Sequence, residues 1–389
     1  MRSSCVLRVL LLAGLIAGGG PRLAAQSSMF GVRGLGLPGR PLTPRVRGMG
    51  GSIGVFDGES DLNPAALVNL TGVSAGFIMV PTWRHWEGPA GSATLRGTRF
   101  PLTSVGGPIP GTHIGLGVSV GSYSDHDYRL TSIDTITMLG QQVEVHDTLS
   151  SLGGLSQIRL ALGWTLSAKT SIGIAGYRIT GSNRMIARRA FGDSAFLPVQ
   201  QRAEVSYSGW GAAIGIIQRL SSAVQLALVV RSDGQADVER DSTRVFSVDL
   251  PYSVYAGAAF KASGRLTVAA SGSFRSWSSA DADLKQQGGV GARNTTEVGI
   301  GVEYARSLRK PLVLPLRLGF RHATLPFPFE VGERPTAVSL SAGTGSRFAQ
   351  GRASTDLAVE RTWSREGSAY RERAFSLAVG LSVRPYGPR

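Results

Sequence analysis

Apolar and polar positions alternate with period two along most of the chain. The last clear run sets Phe375, Leu377, Val379, Leu381 and Val383 against Ala374, Ser376, Ala378, Gly380 and Ser382. The run before it sets Thr355, Leu357 and Val359 against Ser354, Asp356, Ala358 and Glu360. Upstream, Val298, Ile300, Val302 and Tyr304 alternate with Glu297, Gly299, Gly301 and Glu303. Strand side chains point to opposite faces in turn, so each run has one greasy face and one small, polar or charged face. A soluble sandwich would bury the greasy face on a second sheet. Many such runs behind an export signal fit an all-β transmembrane antiparallel barrel, with lipid outside and a polar lumen.

The pattern predicts strands at 73–86, 91–106, 112–126, 150–166, 170–183, 201–219, 223–236, 245–260, 264–280, 292–306, 312–324, 334–348, 352–364 and 371–385, which makes fourteen. Short turns at 107–111, 167–169, 221–222, 262–264, 308–311 and 349–351 alternate with longer polar segments at 127–150, 184–200, 235–244, 281–291 and 325–334. Such barrels have short periplasmic turns and longer extracellular loops. Leu130–Thr148 alternates weakly, as a loop or as two strands carried above the membrane. Trp83, Trp86, Trp164, Trp210, Trp277 and Trp363 fall near predicted strand ends, where they fit either an interfacial girdle or ordinary core positions.

Residues 1–25 read as a secretory signal, with Arg2, an apolar stretch from Val6 to Ile16, and Leu23-Ala24-Ala25 before the cut. Residues 26–72 lack alternation and carry too little apolar material for a domain, so they are expected to be a linker or an insert packed into something larger, ahead of a barrel over 73–389. The only cysteine, Cys5, lies in the signal, which leaves no disulfide or cysteine metal site beyond it. No long apolar run follows, which excludes helical membrane spans.

Gly reaches 52 residues, charged residues are 17%, and the net charge is +15, or +12 without Arg2, Arg8 and Arg22. The basic residues are scattered singly without aromatic interleaving, so nucleic acid is not expected as a partner. Outer arginines meeting anionic lipid headgroups account for them. Alternation turns Arg159, Arg275, Glu297, Glu303, Arg317, Arg321, Asp356 and Glu360 inward, because a charge on the lipid face costs up to about 2–4 kcal/mol near the midplane. Ion pairs across strands are the expected role for these groups, and substrate binding is the alternative.

Gly34-Leu35-Gly36-Leu37-Pro38-Gly39 matches G-x-G-x-x-G, but no strand precedes it and Pro38 and Pro41 forbid a following helix. His85, His113, His126, His146 and His322 form no metal-ligand spacing, and no nucleophile elbow is present. Neither catalysis nor a cofactor is expected.

The segment from Arg45 to Leu67 is Gly-rich, carries acidic Asp57, Glu59 and Asp61, and ends in Asn63-Pro64-Ala65 before Val73-Ser74-Ala75-Gly76-Phe77. This resembles the N-terminal hatch of the FadL-type long-chain fatty-acid transporters. Arg317-Leu318-Gly319-Phe320-Arg321, Leu325-Pro326 and Tyr370-Arg371-Glu372-Arg373 resemble the end of related barrels. Here Pro385-Tyr386-Gly387-Pro388-Arg389 follows the final strand, where related chains end on an aromatic residue.

The resemblance implies a fourteen-stranded barrel in the bacterial outer membrane, its lumen occluded by the hatch. It implies passive uptake of a hydrophobic small molecule such as a long-chain fatty acid. Met49, Ile53, Phe56, Leu62, Asn63 and Pro64 are then expected as ligand-binding or gating residues. Gly115, Gly117 and Gly121 are expected to kink the third strand, which opens sideways to the bilayer in related transporters. The expected partners are the bilayer with its lipopolysaccharide-type outer leaflet, a hydrophobic ligand and the barrel-assembly machinery, for a monomer. A secretion-associated or structural barrel that docks exported proteins is the rival reading, and a polar porin is a third.

Overall fold

The computed structural model describes residues 28–385, apart from 90, 139, 194, 241, 242, 287 and 309–312. The expected signal (1–25) and the tail from Tyr386 onward lie outside the described residues. No helix among the described residues is long and apolar enough to cross a membrane.

The wall is a closed antiparallel barrel of fourteen strands. They are β1 (Ser74–Gly88), β2 (Gly91–Pro108), β3 (Ile114–Asp125 and Tyr128–Met138), β4 (Gln141–Thr165), β5 (Thr170–Phe191), β6 (Val199–Arg219) and β7 (Val224–Ser232 and Gln235–Arg240). Then come β8 (Thr243–Asp249 and Tyr252–Lys261), β9 (Leu266–Arg275), β10 (Thr295–Tyr304), β11 (Leu316–Thr324), β12 (Thr336–Phe348), β13 (Ala353–Glu366) and β14 (Tyr370–Val383). Closure is made by β14 on β1, from Arg371↔Glu87 to Val383↔Ala75. Strands β3, β7 and β8 are each interrupted once. In β8 the break falls at Leu250-Pro251, where proline has no N–H for the ladder.

The alternation sorts the faces as expected. Phe375, Leu381 and Val383 are exposed on the outside, whereas Ala374 and Ala378 are buried inside. The same outward belt includes Ile158, Leu160, Leu162, Ile214, Leu228, Ile300, Leu318, Leu340 and Leu357. A continuous apolar belt on a barrel is the surface that hydrocarbon solvates. Trp83, Trp164, Trp210 and Trp363 lie on this outer face, while Trp86 and Trp277 are buried inside. The core reading therefore holds for Trp86 and Trp277, while the other four stand on the face where a girdle would lie.

The rim structure departs from the expected long loops. Residues 127–150 form a strand hairpin from Tyr128–Met138 to Gln141, and 235–244 carry Gln235–Arg240 and Thr243–Asp249. These extensions stand beyond the lipid, where neither face must be uniformly apolar, so their alternation is faint. On the same rim, the β1–β2 and β13–β14 connections are tight turns. The long connections there are 325–335 and 276–294, the latter carrying helix α2 (Asp281–Gln286). Predicted strand 264–280 accordingly stops at Arg275.

The hatch fills the lumen. It contains a short strand, Leu37–Pro38, helix α1 (Pro44–Gly48) and a 3-10 turn at Pro64–Asn69. Helix α1 starts on Thr43, whose hydroxyl accepts from the Val46 N–H, with Pro44 in the first turn. Wall glycines make room for hatch backbone. A Cβ on Gly299, Gly301 or Gly319 would collide with Met49 and Gly50, and one on Gly163 or Gly173 with Pro64 and Ala65.

Candidate functional site

Ion pairs hold the hatch from both sides. Arg40 meets Glu360 at 2.6 Å and Arg47 meets the same carboxylate at 3.5 Å, while Arg45 meets Glu303 at 2.7 Å. Conversely, Asp61 of the hatch takes Ser119 Oγ at 2.6 Å, Arg159 at 3.3 Å and the Gln157 amide from the wall. Asp61 is almost fully buried, so its charge is tolerable only because so many donors converge on it. Across strands, Arg317 bridges Glu303 at 2.7 Å and Asp356 at 2.5 Å, and Arg321 meets Glu297 at 2.7 Å. Glu297, Glu303, Arg317, Arg321 and Asp356 thus pair across strands as expected, whereas Arg159 and Glu360 pair with the hatch and Arg275 lies over the Tyr255 ring at 5.6 Å. The partnership with Arg40, Arg45, Arg47 and Asp61 of the hatch is additional.

Asn63 is fully buried and uses both ends of its amide. Its Nδ2 donates to the Val55 carbonyl at 2.8 Å, and its Oδ1 accepts from the Ala65 N–H at 2.9 Å. This pins the turn that Pro64 continues. Met49 and Ile53 pack with Leu42 and Val46, with Leu62 at the edge; Phe56 packs near Val55 and Leu67. These expected ligand or gating residues form the hatch's own core, and none of them lines the main cavity.

That cavity, about 540 Å³, lies between the hatch strand and the walls of β1–β4 and β9–β14. Six arginines line it (Arg40, Arg47, Arg84, Arg99, Arg275 and Arg321) against four acids, Asp125, Glu297, Glu360 and Glu372. Apolar surface comes from Leu37, Val80, Phe100, Val120, Leu155 and Leu325. Arg40 Nε and Nη2, Arg47 Nε and Arg321 Nε are buried without an acceptor. Burial and the neighbouring Arg40 guanidinium pull Arg47 down to about 10. Unanswered buried N–H groups are costly, so this cavity is prepared for acceptor atoms.

The cavity reaches a gap in the wall. Pairing between β2 and β3 runs from Pro108↔Gly115 only to Leu102↔Gly121. Beyond it, Ser124 and Asp125 of β3 pair with the hatch strand Leu37–Pro38, and Tyr128–Met138 pairs with β4. Arg99 of β2 spans the gap, at 3.5 Å from Asp125 and in close contact with Asp127. A register shift at Ser122/Ser124 precedes the break.

The irregularity in the third strand therefore lies at 122–127, beyond the glycines expected to kink it. Gly115 and Gly117 lie on a regular ladder, where they receive Leu67 of the hatch, and Gly121 receives Pro41 and Asp61. Glycine there answers a close approach of the hatch rather than a bend. The signals for the true break were a polar run, Ser122 to Asp127, and Gly153-Gly154 on the neighbouring strand.

The loop rim is closed by an apolar cap. Trp277, Ala280, Leu284 of α2, Ala292 and Phe327 pack with Leu35 of the hatch and Tyr123, Leu155 and Ile179 of the wall. Trp277 stacks edge-on against Phe327 at 5.2 Å. No group of His, Cys, Asp and Glu able to hold a metal occurs among the described residues.

No family model matches this sequence, and no curated protein matches it in sequence. Solved structures do match. The chain has the fold of the FadL-type barrels. A Pseudomonas aeruginosa FadL homologue is 12% identical with a TM-score of 0.61, covering 90% of this chain and 100% of its own. The CymD monoaromatic hydrocarbon channel is 15% identical with a TM-score of 0.57, covering 90% and 98%. The Pseudomonas putida toluene transporter TodX is 13% identical with a TM-score of 0.55, covering 89% and 98%.

Proposed function

We propose that this barrel lies in the bacterial outer membrane and passes a hydrophobic small molecule with an acidic headgroup, the long-chain fatty acids being the class that fits. The observation that carries this reading is the cavity that opens toward the β2–β3 gap, with the hatch strand as its inner door. A molecule leaving there enters hydrocarbon directly and never has to cross the polar lumen below. The solved relatives named as hydrocarbon and toluene transporters support a hydrophobic cargo. The arginine lining separates this chain from a purely neutral cargo, since guanidinium groups bind carboxylates in fork geometry.

The path is stepwise. The ligand adsorbs on the apolar cap around Trp277 and Phe327, and its headgroup moves to Arg40, Arg47 and Arg321. It leaves when the hatch strand releases Ser124 and Asp125. No step consumes energy, and hatch movement gates the flow.

The test compares uptake of a labelled long-chain fatty acid and of toluene into vesicles holding the wild type or Arg40→Gln/Arg321→Gln. Fatty-acid uptake falls in the variant while toluene uptake does not. If neither compound enters faster than in protein-free vesicles, the docking barrel becomes the better reading.

A further inference from the structure

The outer face of β13, β14, β1 and β2 carries five exposed arginines on the loop rim: Arg361, Arg365, Arg371, Arg373 and Arg96. The ladders place them together. Arg361 is opposite Phe375, which is opposite Trp83, which is opposite Arg96. One step higher, Trp363 is opposite Arg373, and above that Arg365 is directly opposite Arg371. Three strand spacings set the width at about 14 Å, and four residues along β13 set the height at about 13 Å.

Two observations mark this patch as a surface that awaits an anion. None of the five guanidinium groups pairs with a carboxylate among the described residues. The single acid at an outward position among them, Glu87, is turned to His85 at 3.5 Å. Like charges directly opposite on neighbouring strands destabilise a sheet, and Arg365 and Arg371 hold that position, with Glu87 opposite Arg371 on its other side but turned away to His85. On the far side of the same rim Arg184, Arg189 and Arg244 are answered by Glu204, Asp147 and Asp237, while the exposed Arg129, Arg188 and Arg202 stand on separate strand extensions and make no ion pair among the described residues.

The position selects the anion. Level with Arg361 stands Phe375, and directly below it the same strands present Leu377, Val379 and Leu381 on β14 and Leu357 and Val359 on β13. Trp83 and Trp363, each about 40% exposed, stand at the boundary, with Arg361 over the Trp363 ring at 5.9 Å. A ligand here would have acyl chains against the belt and negative charge at the height of the tryptophans. We propose that this four-strand face binds the phosphorylated headgroup of an outer-leaflet glycolipid, its chains lying along β13 and β14. Arg365, Arg371 and Arg373 clamp the phosphates, and Arg361 and Arg96 flank the sugar. The inference rests on the outer-membrane placement but is independent of what the lumen carries.

The test uses the full chain, purified in a neutral detergent and titrated with a diphosphorylated lipid A-type glycolipid, bound lipid being counted by native mass spectrometry. Arg365→Gln/Arg371→Gln/Arg373→Gln is compared with Arg129→Gln/Arg188→Gln/Arg202→Gln, which removes equal charge from the strand extensions of β3, β5 and β6. Wild type and the control triple retain the glycolipid, and the patch triple binds it roughly tenfold or more weakly. The enzymatically dephosphorylated glycolipid binds all three proteins equally weakly, a comparison that needs only the wild type to fold. Equal losses in the two triples, or undiminished binding of the dephosphorylated lipid to the wild type, would overturn the proposal. Failure of fatty-acid uptake in vesicles leaves it standing, so the two readings fail separately.

Discussion

The side-chain oxygen of Asn63 occupies the space that a Cβ on Gly215 would fill. The hatch amide and the bare backbone of β6 are thus fitted to each other, with Pro64 Cδ at 3.2 Å from the same point. Gly215→Val should push the Asn63 turn out of place. Asn63→Ala should leave the Val55 carbonyl without its donor, at about 1–3 kcal/mol. Neither change touches the lipid face. Both variants should therefore keep a heat-modifiable folded barrel while raising leak current in planar bilayers. An unchanged current with either variant would mean that this turn does not hold the plug.

Glu360 answers both Arg40 and Arg47, so its removal leaves two buried cations facing one another. Glu360→Gln should loosen the hatch more than Glu303→Gln, because Glu303 answers only one hatch cation, the partly exposed Arg45, which solvent can take over, while Arg317 retains Asp356. Removing one partner of a buried pair costs about 3–5 kcal/mol. Limited proteolysis at the hatch reads this difference, and equal cleavage in the two variants would contradict it.

Among the described residues, Arg99 ties β2 to the far lip of the gap through ion pairs, with Asp125 and Asp127 as partners. Arg99→Ala should increase the initial rate of fatty-acid transfer into the bilayer without altering leak current, since the hatch is untouched. A lower rate would make Arg99 a ligand-binding group rather than a latch.

The fold was legible where lipid imposes a rule. On β10 to β14 the outward residues at the height of the hydrocarbon belt must be apolar, and the period-two signal there gave strand count and facing. Where that demand lapses, in Tyr128–Ser150 and Gln235–Asp249, strands continue with mixed faces and read as loops. The hatch was legible through Asn63-Pro64-Ala65, but its register against the wall was not. The glycines at 115, 117, 163, 173 and 215 look like flexible strand residues until the hatch is seen against them. The cavity escaped sequence reasoning because its lining comes from segments up to about 350 residues apart, Ser28 and Ser376 among them.

Facing also fixes where a charge can be added. Val379 faces outward in the belt, and Val379→Arg should reduce folding yield into vesicles by the roughly 2–4 kcal/mol cost of a midplane charge. The neighbouring inward residue Ala378 is no fair comparison, because it is packed with Ile78, Val80, Leu102 and Ala358. Ser376 lines the cavity, so Ser376→Arg should fold nearly as well as wild type. Equal yields for the two variants would contradict the assigned faces.

The cap over the lumen should open in acid. Asp281 at the start of α2 accepts from Lys285 Nζ at 2.7 Å and from the Ala292 N–H at 2.9 Å, closing the 281–292 loop on itself. The bond from Lys285 holds the Asp281 carboxyl below its usual 3.8. A depressed carboxylate stabilises the folded loop above the ordinary value, and that contribution disappears as pH falls through the lowered one. Leu284 and Ala292, which pack on Trp277 and Phe327, should then come free together. Tryptophan fluorescence of a variant that retains only Trp277 should shift to the red below pH about 3.8, and in Asp281→Asn the shift should already be present at neutral pH. If the Asn variant matches the wild type at neutral pH, Asp281 does not hold the cap.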